Sequence, residues 1–303
     1  MTVAVVRPDL SQRTALSKSA LVAFDLCQQK AFFEIHNRRP LLRSEKVSFG
    51  SALDAVTEAL VAGARDGRDA TRAVYDAIIF VEQRDEIELD AAELDRAVRG
   101  FTDEVMPKFD WTGAATQPDL WAVLPGIGEV NGHPDIVLAS NAVWDVKSST
   151  RDKVLPSMEL GLYALLLEAA QGVTVPEVGY LTWIRSGKGR WAIQRQPVDD
   201  ELRRWSWEHL RRFSAAKALD AQLNEGAETP TNVVFAGGPK FAGLCGDCQY
   251  APWNGGGYDA SGSLSGTAAL PIPTLLNLID GQTYINFHTT NNPSGEIRGQ
   301  LMR

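Results

Sequence analysis

The chain has 303 residues, of which 44% are hydrophobic and 22% charged, so it can bury a core and is not a fully disordered chain. A net charge of −8 excludes a protein that coats duplex DNA through its overall field, although a local basic groove can still hold DNA. Three cysteines are too few for a disulfide framework, and with no signal-like N-terminus they predict a cytoplasmic protein. No uncharged apolar run reaches roughly 18 residues, so no membrane partner is expected.

The first half of the chain has the apolar spacing of amphipathic helices. Between residues 120 and 146, short apolar runs separated by Gly, Asn and Pro predict a strand meander. A helix, a hairpin around Ser186-Gly187 and a long helix follow. This order predicts an α/β fold with a central mixed β-sheet flanked by helices. The predicted helices are 17–34, 48–63, 70–83, 90–105, 156–170 and 198–223, and the predicted hairpin strands are 178–185 and 190–195.

The composition changes at Asn254, where glycines lead into a segment rich in Ser, Gly and Thr with few charges. Two strands, 284–288 and 296–301, are predicted in this segment. We therefore expect a domain boundary near Trp253, with residues 1–253 forming the main domain and residues 254–303 forming a short β-rich tail.

Two carboxylates and a lysine are predicted to meet at one edge of the sheet. Asp145 and Lys147 are two residues apart on a strand, so their side chains leave the same face. Asp135 opens the preceding strand and can lie beside Asp145. Carboxylate oxygens suit Mg²⁺ or Mn²⁺, and a metal with a nearby lysine suits phosphodiester hydrolysis. The alternative is two edge-strand aspartates and a solvated lysine.

Two helical pairs add to this constellation. Asp54 and Glu58 are four residues apart on one predicted helix, so they share a face. Glu159 and Tyr163 have the same spacing on the helix that follows the strand pair, where it would pack back over the sheet. Acidic residues at this spacing often face solvent, which is the alternative interpretation.

The order of these motifs resembles the RecB-like exonuclease branch of the PD-(D/E)XK nuclease superfamily, which includes CRISPR-associated iron–sulfur exonucleases and phage-encoded relatives. The resemblance runs through most of residues 14–253 and implies a restriction-endonuclease-like core. Its motifs here are the opening segment from Ser17 to Cys27, Gly50-Ser51-Ala52-Leu53-Asp54, Gly132-His133-Pro134-Asp135, Asp145-Val146-Lys147-Ser148-Ser149, and Glu159 to Tyr163.

The resemblance implies a role for each of these residues. Asp54, Asp135 and Asp145 would bind Mg²⁺ or Mn²⁺, with a backbone carbonyl from Val146. Lys147 would be the catalytic lysine, and Glu159 and Tyr163 would position the lysine, water or a DNA phosphate. The chain departs from the family at two positions, because Asp54 replaces a metal-binding histidine and Glu159 replaces a glutamine.

The three cysteines match part of a metal-cluster pattern. Some members of the family hold a [4Fe–4S] cluster on one early cysteine and a late group of three, and Cys27, Cys245 and Cys248 match three of these four positions. The fourth position is Asn254, which supplies no thiolate. A cluster with one ligand other than cysteine, a labile cluster, a zinc site and three reduced thiols remain as alternatives, and the resemblance favours a site derived from the cluster.

A basic hairpin tip, with Arg185, Lys188 and Arg190 around glycines, is predicted to contact DNA phosphates. The resemblance implies a metal-dependent DNA exonuclease that acts on single-stranded ends in recombination, repair or phage DNA processing. The chain has no helicase motif, so strand separation would need a helicase or recombination partner.

Two other hypotheses remain. The same fold could grip DNA ends with weakened catalysis. Residues 281–301 also resemble the closing hairpin of a chordin-type (CHRD) domain, which would suggest a surface protein, although the free cysteines argue against that.

Overall fold

The computed structural model describes residues 16–36, 44–153, 155–226, 232, 234–235, 284–287 and 297–300. The chain divides into two compact units, one formed by residues 1–18 and 42–211 and the other by residues 19–41 and 212–303. The predicted boundary between residues 253 and 254 lies outside the described residues.

Helices dominate the described chain before residue 109, as the apolar spacing predicts. The helix predicted over 17–34 is instead two helices separated at Cys27. Local caps define the third helix, because the Ser44 hydroxyl accepts a hydrogen bond from the Val47 N–H and Gly67 ends the helix in the left-handed conformation. The helices are α1 (Lys18–Leu26), α2 (Gln28–His36), α3 (Glu45–Asp66), α4 (Thr71–Asp85) and α5 (Ala91–Gly100), and α5 continues into a π turn (Phe101–Val105) and a 3₁₀ turn (Met106–Lys108).

Within its described residues the first unit has two sheets, which confirms the mixed α/β class but not the single sheet expected for the meander. Strand pairing is interrupted at residues 133–135, so the strands on either side join different sheets. The smaller sheet has the order β1 (Leu16–Ser17), β4 (Gly128–Gly132), β3 (Leu120–Leu124); the larger has the order β2 (Ala115–Thr116), β5 (Ile136–Val137), β6 (Val143–Ser149), β7 (Glu177–Ile184), β8 (Arg190–Pro197).

A parallel strand pair lies at the centre of the larger sheet. β6 pairs with β7 in parallel, so the chain must cross back between them, and α6 (Met158–Gln171) makes this crossover. β7 then turns directly into β8 as the predicted antiparallel hairpin, and α7 (Asp200–Leu223) follows. The crossover brings α6 into contact with β6 and β7.

The main core lies between α3, α5 and one face of the larger sheet. Phe49 and Leu53 of α3 and Phe101 after α5 pack in one buried cluster with Trp144 and Val146 of β6. Among the described helices, α3 is long and apolar enough to cross a membrane, a property that buried core helices share. The buried side of α3 is part of the core.

A glycine on β7 makes room for the largest side chain of this core. A methyl group at Gly179 would lie 2.3 Å from the Trp144 ring and 2.5 Å from the Gln194 carbonyl oxygen, whereas one at Gly50 of α3 would meet nothing within 4 Å. We therefore expect Gly179→Ala to lower the free energy of unfolding by about 1–3 kcal/mol or more. Gly50→Ala should be neutral or stabilising by up to about 1 kcal/mol. Urea denaturation measures both, and equal effects would contradict this account of the packing.

The described part of the second unit contains an aromatic cluster that involves α1, α7 and Phe235. The rings of Phe24 and Phe213 have centroids 5.0 Å apart, and Phe235 packs edge-on against Phe24. The His36 Nε2 and Asp220 Oδ2 atoms are 2.6 Å apart, which joins α2 to α7. Two further strands, β9 (Tyr284–Phe287) and β10 (Ile297–Gln300), form an antiparallel pair, as the tail sequence predicts.

Candidate active site

The candidate site lies in the first unit, on the face of β6 that is opposite to the core. Since side chains alternate along a strand, Trp144 and Val146 point into the core, and Asp145 and Lys147 point to the other face. In the parallel register Tyr180 of β7 is the neighbour of Asp145 and shares its face. The crossover helix α6 carries Glu159 and Tyr163 over this face.

The centre of the site is a buried ion pair. Asp145 is 0% exposed, and its carboxylate contacts the Lys147 ammonium. Neither Asp145 oxygen accepts a conventional hydrogen bond, although both are buried. Burial raises the pKa of Asp145, and Glu159 and Asp135 raise it further against the opposing effect of Lys147. Burial alone would lower the pKa of Lys147, but the carboxylates of Asp145 and Glu159 outweigh it and hold this pKa above its ordinary value, so Lys147 is an ammonium.

Glu159 is the meeting point of two lysines. The Lys18 Nζ atom lies 2.6 Å from Glu159 Oε1, and the Lys147 Nζ atom lies 3.4 Å from the same oxygen. The Tyr180 hydroxyl donates to Glu159 Oε2 at 3.2 Å. Burial raises the pKa of Glu159, but the two ammoniums outweigh burial and lower it to about 2. Glu159 is therefore a fixed negative charge between two fixed positive charges.

Asp135 and Tyr163 organise the segment between the two sheets. Asp135 precedes β5, and its Oδ2 atom accepts a hydrogen bond of 2.6 Å from the Val146 N–H. The Tyr163 hydroxyl donates to the His133 carbonyl oxygen at 2.9 Å, and a methyl group at Gly132 would lie 3.2 Å from the Tyr163 ring. The buried Tyr163 thereby supports the turn that presents Asp135.

Asp54 reaches the site from α3. Burial is the main cause that raises its pKa to about 6, Asp145 adds to the rise, and Lys147 and Lys18 oppose it. The pKa of Asp135 is also raised to about 6, first by burial and then by the charge of Asp54. The three aspartates predicted to be ligands are thus electrostatic neighbours in the structure, and each pair of them interacts.

The fit of these residues to a metal is mixed. Within the described ranges, no three His, Cys, Asp or Glu side chains come close enough together to enclose a metal ion. The donor set nevertheless has the chemistry that Mg²⁺ and Mn²⁺ prefer, because it consists of carboxylates. The Asp145 oxygens are buried with an ammonium as their partner and no conventional hydrogen bond, and the neighbouring carboxylates of Asp54 and Asp135 repel one another, which a further cation would offset.

Lys18, Tyr180 and Ser157 are site residues that the sequence motifs did not identify. The Ser157 and Tyr180 hydroxyl oxygens are 2.6 Å apart, and Lys18 lies over the Tyr163 ring with Nζ 5.3 Å from its centroid. Alternation along β7 could have placed Tyr180 on the same face as Asp145, once the register was known. No spacing rule could have identified Lys18, which is 141 residues from Glu159 in the sequence.

In the predicted DNA-binding hairpin, Arg185 is bound to other parts of the fold, whereas Lys188 and Arg190 are exposed. Arg185 makes a forked ion pair with Glu93, reaches Glu45 at 2.9 Å, and covers the Phe49 ring with its guanidinium. Arg190 pairs with Asp152 at 3.2 Å on the surface. Lys188 is exposed at the tip and has no ion-pair partner among the described residues. DNA contact by these three residues stays a prediction, and Lys188 is the one best placed for it.

We expect Lys188→Ala and Arg185→Ala to separate the two roles. Lys188→Ala should weaken DNA binding, lower the slope of log K against log salt by about one, and leave the melting temperature unchanged. Arg185→Ala should destabilise the fold by about 3–5 kcal/mol, because it leaves the buried Glu93 carboxylate without its cation. Fluorescence anisotropy at several salt concentrations and thermal melts measure both, and unchanged melting of Arg185→Ala would contradict the assignment.

Of the three cysteines, only Cys27 lies within the described residues, where it is buried between α1 and α2. Cys245 and Cys248 lie outside them, as does Asn254. The cluster prediction therefore stays a prediction.

Comparison with solved structures shows the fold. The chain is similar to a provisionally assigned exonuclease from Eubacterium rectale, with a TM-score of 0.52 and 11% sequence identity over 79% of this chain and 88% of that one. The chain has a nuclease-like α/β fold. The structure of LHK-Exo in complex with dAMP matches with a TM-score of 0.30 and 16% identity over 57% of this chain and 93% of that one.

The sequence itself matches one family model. A family model for the CHRD domain matches residues 205–301, so it begins well before the predicted tail and includes much of α7. This match covers less than half of the chain. No curated protein matches the sequence.

Proposed function

We propose that this protein is a metal-dependent nuclease that hydrolyses phosphodiester bonds in DNA. The observation that carries the proposal is the buried Asp145–Lys147 pair, which lies beside Asp54, Asp135 and Glu159 in a nuclease-like fold. An ion pair whose carboxylate is fully buried, surrounded by further carboxylates, is costly for stability, and such groups concentrate at functional sites.

The residues have separable roles in this chemistry. Asp54, Asp135 and Asp145 would hold Mg²⁺ or Mn²⁺, with the Val146 carbonyl as a further ligand. A bound ion would lower the pKa of a water molecule and offset the charge of the phosphate. Lys147 is an ammonium and therefore acts as a donor to the negative charge that develops on the phosphate oxygens, and not as the base. Glu159 and Tyr163 hold Lys147 and the Asp135 segment in place.

The substrate is proposed to be a single-stranded DNA end, and the reaction to be exonucleolytic. The similarity to a provisionally assigned exonuclease supports this class, and the exposed Lys188 supports contact with a phosphate backbone. A helicase or recombination protein would supply the separated strand. The test is digestion of end-labelled single-stranded DNA with Mn²⁺ and with a chelator, where mononucleotides released only with Mn²⁺ are expected and intact DNA in both would contradict the proposal.

A DNA-end-binding protein with weakened hydrolysis is the second candidate. It is favoured by the absence, among the described residues, of a group of three acidic, His or Cys side chains close enough to enclose an ion. This candidate predicts DNA binding that is sensitive to salt and indifferent to Mn²⁺. Binding measured beside the digestion assay distinguishes the two functions.

We also propose that Cys27, Cys245 and Cys248 hold an iron–sulfur cluster with one ligand other than cysteine. The support is the match of these cysteines to three of four ligand positions. Protein purified without oxygen should absorb visible light in the iron–sulfur charge-transfer region and lose this absorption in Cys248→Ser. A colourless protein that contains zinc would favour the zinc alternative and contradict the cluster.

A further inference from the structure

Two lysines compete for one carboxylate oxygen in the candidate site. Glu159 Oε1 lies 2.6 Å from Lys18 Nζ and 3.4 Å from Lys147 Nζ, so Lys18 is its primary partner. The other oxygen, Oε2, is occupied by the Tyr180 hydroxyl at 3.2 Å. Lys147 is left with Asp145 as its direct partner, on the strand where both residues share a face.

We propose that Lys18 is a positioning residue, which engages the charge of Glu159 and so keeps Lys147 beside Asp145. Without Lys18, the nearest cation for Glu159 is Lys147, whose ammonium would be drawn towards α6 and away from the reacting phosphate. This inference deepens the proposed function and rests on it.

Charge balance supports this role. When all six groups are ionised, four carboxylates (Asp54, Asp135, Asp145 and Glu159) interact with two ammoniums (Lys18 and Lys147). Lys18→Met removes one positive charge, and Glu159→Gln removes one negative charge. The double variant removes both and restores the net charge of the wild-type site, so the two residues are expected to act as a unit.

Lys18 is also held in a defined place. It is the first residue of α1 and directly follows β1, whose Ser17 pairs with Asn131 of β4. Its side chain is 21% exposed, it lies over the Tyr163 ring, and its ammonium is 4.0 Å from Asp145 Oδ1.

The test is a double-mutant cycle on the full chain with Lys18→Met, Glu159→Gln and both together, with Lys18→Arg as the conservative variant. Mn²⁺-dependent digestion of labelled single-stranded DNA should fall at least tenfold in Lys18→Met, and by less in Glu159→Gln, because that variant removes the charge that would draw Lys147 away. The double variant should recover most of this loss, and Lys18→Arg should retain activity. Lys30→Met, at a half-exposed lysine of α2 that pairs with Glu34, is the matched control and should be unchanged. Losses that multiply in the double variant would overturn the proposal.

Thermal melting of the same variants without added metal gives a second readout. Each single variant should melt several degrees below the wild type. The decrease in melting temperature of the double variant should be smaller than the sum of the two single decreases. Additive melting shifts would overturn the pairing of Lys18 with Glu159. If the wild-type protein leaves DNA intact, the proposed function fails together with the catalytic role of Lys18, while non-additive melting would still establish the pairing.

Discussion

Replacing Lys147 by alanine should reduce Mn²⁺-dependent digestion of DNA by about 10²–10⁴-fold, the range lost when one donor to a developing negative charge is removed. The ammonium of Lys147 is held between Asp145 and Glu159, and its raised pKa keeps it charged throughout the pH range of an assay. The loss should therefore appear as a lower rate of hydrolysis at every pH, measured with saturating labelled single-stranded DNA.

Two controls make this result specific. DNA binding by Lys147→Ala should stay within a few-fold of wild type, since Lys188 and not Lys147 is exposed for backbone contact. Lys30→Ala, at a half-exposed position of α2 that pairs with Glu34, should digest DNA at the wild-type rate. Digestion by Lys147→Ala at the wild-type rate would contradict the nuclease assignment, provided that its circular dichroism spectrum is unchanged.

Replacing Asp54 by asparagine should raise the stability of the metal-free protein and remove the stabilisation that Mn²⁺ gives. Because burial raises the pKa of Asp54 from its ordinary value of 3.8 to about 6, ionising this carboxyl costs stability in the folded state. The cost is absent below about pH 4, grows as the pH rises to about 6, and is complete above it. Without added metal, Asp54→Asn should therefore be more stable than wild type at pH 8, by about 1–3 kcal/mol, and equally stable at pH 4.

Mn²⁺ should offset this difference in stability. At one hundred times its dissociation constant, a bound ion stabilises the folded protein by about 2.7 kcal/mol, and only the wild-type site should gain this amount. Urea denaturation at pH 4 and pH 8, with and without Mn²⁺, measures both effects. Asp76→Asn, at an exposed position of α4, is the control and should change neither quantity. If Asp54→Asn gains as much from Mn²⁺ as wild type, Asp54 is not a ligand.

Much of the site could be predicted from the sequence because its parts follow local rules. Strand alternation placed Asp145 and Lys147 on one face, and helical spacing placed Glu159 and Tyr163 on one helix that returns over the sheet. The α/β class followed from the order of the elements. The structure adds the direct contact between Lys147 and Asp145, which no spacing rule contains.

The contacts that the sequence could not reveal are those between distant segments. Lys18 and Glu159 are 141 residues apart, and Arg185 is 92 residues from Glu93. Neither contact leaves a periodic pattern, because the partners are brought together by packing. The same holds for the meander, whose strands look continuous in sequence but join two sheets.

The strand β6 has a consequence for how this protein can change. Its alternate positions lie in two different environments, since Trp144 and Val146 pack in the core while Asp145 and Lys147 face the candidate site. A deletion or insertion of one residue would exchange the two sets, and would bury the charges as it expelled the apolar side chains. The core residues and the candidate site residues therefore depend on the same register of this strand. The site can vary by substitution of single residues, but not by a change in the length of β6.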